Sequence, residues 1–136
     1  MHNIVKLFKS FNKYKNKTDE EIHNHISPSI ESNQFKIFYN EDGVYGFVNW
    51  AFLNKEVEDS YKLTSKINMY NWNCGDKLWL VDIVILKNPK TVMSWVYNYF
   101  KAYLNVNESI NWLRLDKEDN IYRVASKFKR EFHNGK

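Results

Sequence analysis

Nine residues from Leu78 to Leu86, LWLVDIVIL, are apolar except for one carboxylate, Asp82. A strand of this composition has no polar face, so it belongs in the middle of a sheet, covered on both sides. An ionised carboxylate there needs a cation or hydrogen-bond donors. Left unpaired, it costs several kcal/mol or shifts its pKa until it is neutral. The chain should therefore supply Asp82 with a partner.

Other chemistry-bearing groups are sparse. His23 and His25 lie two apart in EEIHNHISP, a spacing that turns the two rings to different faces of a helix and suits no metal pair. Cys74 is far from either histidine in sequence, so no zinc spacing results. Nothing beside it in sequence would lower its thiol pKa. The chain contains no GxxxxGK[ST], GxGxxG or GxSxG, so phosphate-cradling loops and a hydrolase elbow are unsupported. Lys127, Lys129 and Arg130 form a basic cluster near the end, which reads first as a solvated face.

The elements that must position Asp82 can be read from periodicity and turn signals. Ile4, Leu7, Phe8 and Phe11 recur at helical spacing. Thr18, followed by Asp19, Glu20 and Glu21, is a capping box opening a second helix through Ile22 and Ile26, which Pro28 should interrupt or restart. QFKIFYNEDGVYGFVNW holds two alternating runs around Asp42-Gly43, a hairpin of strands near 34–40 and 44–50. Residues 53–63 suggest a short helix capped by Asn54, and 68–76 a polar loop containing Trp72. After the central strand, Pro89 starts a helix to about Leu104, with Val92, Trp95, Val96, Tyr99, Phe100 and Tyr103 on one stripe. That stripe is broad enough for a core, a homodimer interface or both. Residues 109–115 and 121–126 form a last strand pair around DKEDN. The order predicts one α+β domain over residues 1–136, a mixed sheet partly covered by helices.

Bulk properties narrow the function classes. With 136 residues, 43% hydrophobic and 17% aromatic, the chain can build one core. No apolar run approaches the ~20 residues of a membrane helix, and the N-terminus lacks an apolar signal region. A lone cysteine suits a reducing cytoplasm. The charge of +4 and pI near 9.0 suit docking to an acidic protein and are weak support for nucleic acid.

Three segments in this order, FVNWAFLNKEVEDSY, NWNCGDKLWLVDIV and INWLRLD, resemble the RTX-toxin-activating lysine acyltransferases. Their distinctive element is Trp72-x-x-Gly75-Asp76-x-x-Trp79-x-x-Asp82, and the resemblance spans roughly residues 4–116. It implies a GNAT-like fold. It also implies transfer of a fatty acyl group from acyl carrier protein to internal lysines of a protein toxin in the cytoplasm. No bound cofactor, metal or nucleic acid is implied. The family's catalytic pair is a His in the N-terminal helical region and a strand Asp, which falls on Asp82. Such an Asp orients an imidazole and steadies its cation. The segment ILKNPKTVM has no glycine, where CoA-using relatives carry a Gly-rich loop, which fits a carrier-protein donor. Lys87, Lys90, Lys127 and Arg130 are candidates for docking that acidic donor.

The chain departs from the family pattern in two places. Aligned without gaps, the family's S-x-x-H motif falls on Phe11-Asn12-Lys13-Tyr14. Either a gap brings His23 or His25 into the site, with His23 the favoured residue, or Tyr14 replaces the base, or the chain keeps the fold and has become a toxin-binding or immunity-like partner. A phenol of pKa ~10 is a poor base beside an imidazole of ~6.5. The family's further C-terminal helix also has no counterpart before Lys136.

Overall fold

The computed structural model of the chain describes residues 1–105, 108–115 and 121–129. Its elements are α1 (His2–Lys9), α2 (Asp19–Glu31), β1 (Phe35–Asn40), β2 (Gly43–Leu53), α3 (Lys55–Thr64), β3 (Lys77–Ile85), α4 (Pro89–Tyr103), β4 (Ser109–Leu115) and β5 (Ile121–Phe128). The strands form one sheet in the order β1-β2-β3-β4-β5. Among these strands β3 and β4 are the one parallel pair, and α4 makes the crossover between them. The result is an α+β domain with a mixed sheet, consistent with a GNAT-like fold. The DKEDN turn and Arg130 lie outside the described residues. No helix among the described residues is long and apolar enough to cross a membrane.

The local signals act as the sequence predicts, with one exception. Thr18 and Glu21 close a reciprocal capping box at 2.9 and 3.0 Å, and Asn54 caps α3 by accepting from the Val57 amide at 2.8 Å. Gly43 takes φ +119° at the hairpin turn, a backbone state that favours glycine. A side chain at Gly75 would meet Leu53 and Asn54 backbone at 2.3–2.4 Å, so the loop can lie against the start of α3 only with glycine there. The exception is Pro28, which does not interrupt α2. It stands in the last two turns, where only the Asn24 carbonyl is denied a donor. The neighbouring Ser27 and Ser29 hydroxyls bond back to the His23 and Ile26 carbonyls at 2.6 and 2.7 Å.

Helices cover the sheet unequally. On one face α4 alone buries Val92, Val96 and Phe100 against Val48, Trp50, Leu78 and Leu80. Each such side chain contributes about 1.5–3 kcal/mol by leaving water. The outer part of the α4 stripe stays half-exposed: Trp95 stacks on Tyr99 at 4.7 Å, and Tyr99 on Tyr103 at 6.4 Å. On the other face α1 and α2 pack Phe8, Ile22 and Ile26 on Phe47 and Val84. Beside them α3 packs Tyr61 against Trp72, Trp79 and Leu53.

Two irregularities in β3 decide where its side chains point and where the sheet opens. Its register with β2 slips: Trp50 faces Leu80, but Asn49 faces Asp82, leaving Val81 as the extra residue of a bulge. A bulge reverses the alternation of a strand. Before it, Leu78 and Leu80 pack towards α4, and Trp79 and Val81 towards α3. After it, Val84 packs towards α1 and α2, while Ile85 packs towards α4. In an unbroken strand Asp82 would share the α4 face with Leu80. The bulge turns it to the opposite face. The second irregularity is a splay: β3 pairs with β4 only from Leu78 to Leu80, against Ile110 to Trp112.

Candidate active site

Asp82 is 6% exposed and lies at the foot of a cleft. Its partner comes from α2. Ile22, Ile26 and Ser29 form the buried stripe of that helix, and His25 falls on it at the i+3 position from Ile22. Nε2 of His25 straddles the carboxylate, 3.0 Å from Oδ1 and 2.9 Å from Oδ2. The hydrogen bond runs to Oδ1, and Oδ2 is buried with charge contact but no hydrogen bond of its own. Tyr14, in the turn after α1, donates its hydroxyl to the same Oδ1 at 3.3 Å. Phe8 packs edge-on against both rings, 5.0 Å from Tyr14 and 6.4 Å from His25.

Asp82 is also held from behind, through its backbone. Its own backbone N–H donates to Asn49 Oδ1 at 2.7 Å, Asn49 Nδ2 donates to Ser29 Oγ at 3.1 Å, and Ser29 Oγ donates to the Ile26 carbonyl. This relay runs from β3 through β2 to α2, the helix that carries His25. It ties the two members of the pair into one frame, and each buried polar group in it has a partner.

The electrostatics follow from the geometry. Burial pushes the Asp82 carboxyl up, but the charge and hydrogen bond of His25, with the Asn49 amide, outweigh it and hold the group below the usual carboxylate range. Burial likewise pushes the His25 imidazolium down, as do Lys13 and Lys17. The charge and hydrogen bond of Asp82 outweigh them and raise it above the ordinary imidazole value. With Nε2–H given to the carboxylate, the lone pair of the neutral ring resides on Nδ1, which takes no hydrogen bond among the described residues. His25 remains 39% exposed at its side chain. Its ring is therefore open to the cleft.

The cleft has a volume of about 760 Å³ and three kinds of wall. Tyr14, His25 and Asp82 make a polar floor. Ile67, Met69, Trp72, Val81, Leu113 and Leu115 make an apolar side, reaching the splay between β3 and β4. Lys13, Lys17 and Lys66 stand at its basic edge. Lys87, Lys90 and Lys127 do not line it; Lys87 pairs with Asp42 at 3.2 Å.

The structure thus brings Tyr14 and Asp82 together and leaves His23 elsewhere. His23 is exposed and lines a separate hollow of about 480 Å³ with Met1, His2, Val5, Asp19, Glu20 and Asn24. Two residues along an α-helix is a turn of ~200°, so His23 and His25 cannot share a face. The signal that separates them was present in the sequence, because His25 continues the Ile22–Ile26 stripe and His23 does not. Asn49 and Ser29 carried no such signal; their meeting depends on the register of β2 beneath α2. Among the described residues, no group of three His, Cys, Asp or Glu side chains gathers as a metal site would require.

Comparison with known proteins gives the same direction. The profile of the RTX toxin acyltransferase family, HlyC, matches residues 1–129. The RTX-I toxin-activating lysine-acyltransferase ApxIC of Actinobacillus pleuropneumoniae is 27% identical over 112 residues, 82% of this chain and 60% of that protein. The leukotoxin-activating lysine-acyltransferase LktC of a Pasteurella haemolytica-like species (strain 5943B) is 28% identical over 109 residues, 77% of this chain and 56% of that protein. The protein-lysine palmitoyltransferase CyaC of Bordetella bronchiseptica is 32% identical over 60 residues, 43% of this chain and 32% of its own length. The match to this chain thus spans about 60% of the length of ApxIC and less of the other two.

Proposed function

This chain belongs to the RTX toxin acyltransferase family, and we propose that it transfers a fatty acyl group from acyl carrier protein to lysine side chains of an RTX-type protein toxin in the cytoplasm. One observation carries the reading. His25 Nε2 lies within 3.0 Å of both oxygens of a buried carboxylate, at the floor of an open cleft with an apolar side. Relatives named as toxin-activating lysine acyltransferases support the substrate class.

In this reading His25 is the base and Asp82 fixes its tautomer and steadies its cation. A lysine ammonium first loses a proton to bulk water, and its neutral nitrogen attacks the thioester carbonyl carbon. Nδ1 of His25 takes the second proton as the C–N bond forms. The C–S bond then breaks, and the departing sulfur takes that proton from His25. Tyr14 is a positioning residue, holding Oδ1 with a second donor, rather than the base. The acyl chain lies along the apolar side of the cleft, and Lys13, Lys17 and Lys66 meet the phosphate of the donor's pantetheine arm.

The test is to incubate the chain with acyl-loaded carrier protein and an RTX protoxin and to weigh the protoxin's lysine peptides. The expected result is a mass gain at internal lysines. It should fall by roughly 10²–10⁴-fold in His25→Ala, stay within about twofold in His23→Ala, and drop less than about tenfold in Tyr14→Phe, which loses only one hydrogen bond. Absence of transfer where an active relative succeeds would overturn the reading. Retained binding of the protoxin would then favour a toxin-binding role.

A further inference from the structure

Tyr61 lies on α3 and is 3% exposed, its ring set edge-on against Trp79 at 5.3 Å. A phenylalanine would satisfy that packing. The hydroxyl is the part that needs explaining: no hydrogen bond reaches it among the described residues. Buried hydroxyls normally find a partner, because losing water without one is costly. Yet Tyr61 is not sealed in. It lines the same cleft as His25, Asp82 and Val81, and its oxygen is not among the fully enclosed side-chain atoms without partners, of which Asp82 Oδ2 is the described example. Among the described residues the hydroxyl thus has no acceptor, and its residue lines the cleft into which His25 opens.

We propose that Tyr61 is a catalytic residue whose O–H donates to the carbonyl oxygen of the acyl thioester and holds the oxyanion that forms there. This rests on the acyltransferase reading above. As the lysine nitrogen bonds to the carbonyl carbon, the C=O π pair moves onto oxygen, and Tyr61 meets that charge with its donor. When the pair returns, the C–S bond breaks and sulfur leaves with its electrons, taking its proton from His25. The Tyr61 proton stays on Tyr61 throughout. Burial, and to a smaller degree the Asp82 charge, push its phenol far above the usual value, so the group remains a neutral donor across the working pH range.

The experiment compares wild type with Tyr61→Phe in the full chain, using acyl-loaded carrier protein and protoxin. The expected loss is about 10²–10³-fold in kcat, the scale of removing one oxyanion donor, with KM for both substrates within about twofold. A Tyr61→Phe protein that transfers at the wild-type rate overturns the proposal. Two further measurements keep it open to refutation if that variant folds poorly. Replacing Tyr61 by fluorinated tyrosines retains the ring and strengthens the donor, and kcat should change steadily with phenol acidity. Independence from acidity would contradict a direct role. With a ¹³C-labelled acyl carbonyl and no protoxin present, the C=O stretch of the bound donor should move to lower frequency in wild type. An unshifted stretch in wild type overturns the proposal. If wild type itself transfers nothing, the acyltransferase reading fails, whereas activity unaffected by Tyr61 removes only this inference.

Discussion

The two faces of the sheet are built from different materials. Against α4 the buried side chains are aliphatic or aromatic, and the buried residues of α4 itself are Val92, Val96 and Phe100. Against α1, α2 and α3 lie Ser29, Asn49, Glu58 and Asp82, all buried and polar or charged. Glu58 takes the indole N–H of Trp79 at 2.8 Å, and the other three form the relay behind the carboxylate. The first face supplies stability with no chemistry in it. The second gives up part of its apolar burial to keep a charge in place, and it can do so because the α4 face is sealed. The bulge at Val81 decides on which face Asp82 falls.

Breaking the apolar face should therefore cost stability and spare chemistry. Phe100→Ala leaves a cavity beneath α4 and should lower unfolding free energy by about 3–5 kcal/mol, read as a shift of the denaturant midpoint. Transfer by the folded fraction should stay near wild type. A matching loss in kcat from the folded protein would mean that the faces are coupled.

Breaking the relay should do both, on a smaller scale. Asn49→Ala strands the Asp82 amide and takes a donor from Ser29, a loss of about 1–3 kcal/mol. Transfer should also slow, because the Asp82 backbone is no longer tied to α2 through Asn49 and Ser29. Wild-type transfer in a destabilised Asn49→Ala protein would make the relay purely structural.

The smallest effect is on the pH dependence of stability. His25 is raised in the folded state, so its contribution is full below the unfolded imidazole value of ~6.5 and fades as pH rises through the folded value. Asp82 is lowered, so its contribution is full above the unfolded value of ~3.9 and fades as pH falls through the folded one. The pair therefore stabilises most between about pH 4 and 6.5. In Asp82→Asn the loss of stability should be largest inside that window. A difference independent of pH would show that the charges do not matter.

Much of this arrangement was legible in the sequence. Element types and order, the two caps, the hairpin turn and the anomaly of Asp82 follow from periodicity and from a charge in an apolar run. The continuity of α2 through Pro28 was not legible, since late in a helix a proline removes one donor without ending the helix. The bulge at Val81 was not legible either, because no residue in LWLVDIVIL marks it; register with β2 creates it. That one-residue slip determines the face of Asp82, so the choice between His23 and His25 needed the α2 stripe and the sheet beneath it together. Tyr61 was hidden for a different reason: its ring is an ordinary core residue, and what sets it apart is a hydroxyl with no hydrogen-bond partner among the described residues.

The central claim, that His25 is the base and Asp82 its holder, is tested most directly by titrating isotope-labelled histidine resonances in wild type and in Asp82→Asn, assigned with His25→Ala. The account predicts that His25 titrates above the ordinary imidazole value, carries its neutral-form proton on Nε2, and falls when Asp82 loses its charge. A His25 that titrates alike in both proteins, or a His23 that responds in its place, would contradict it.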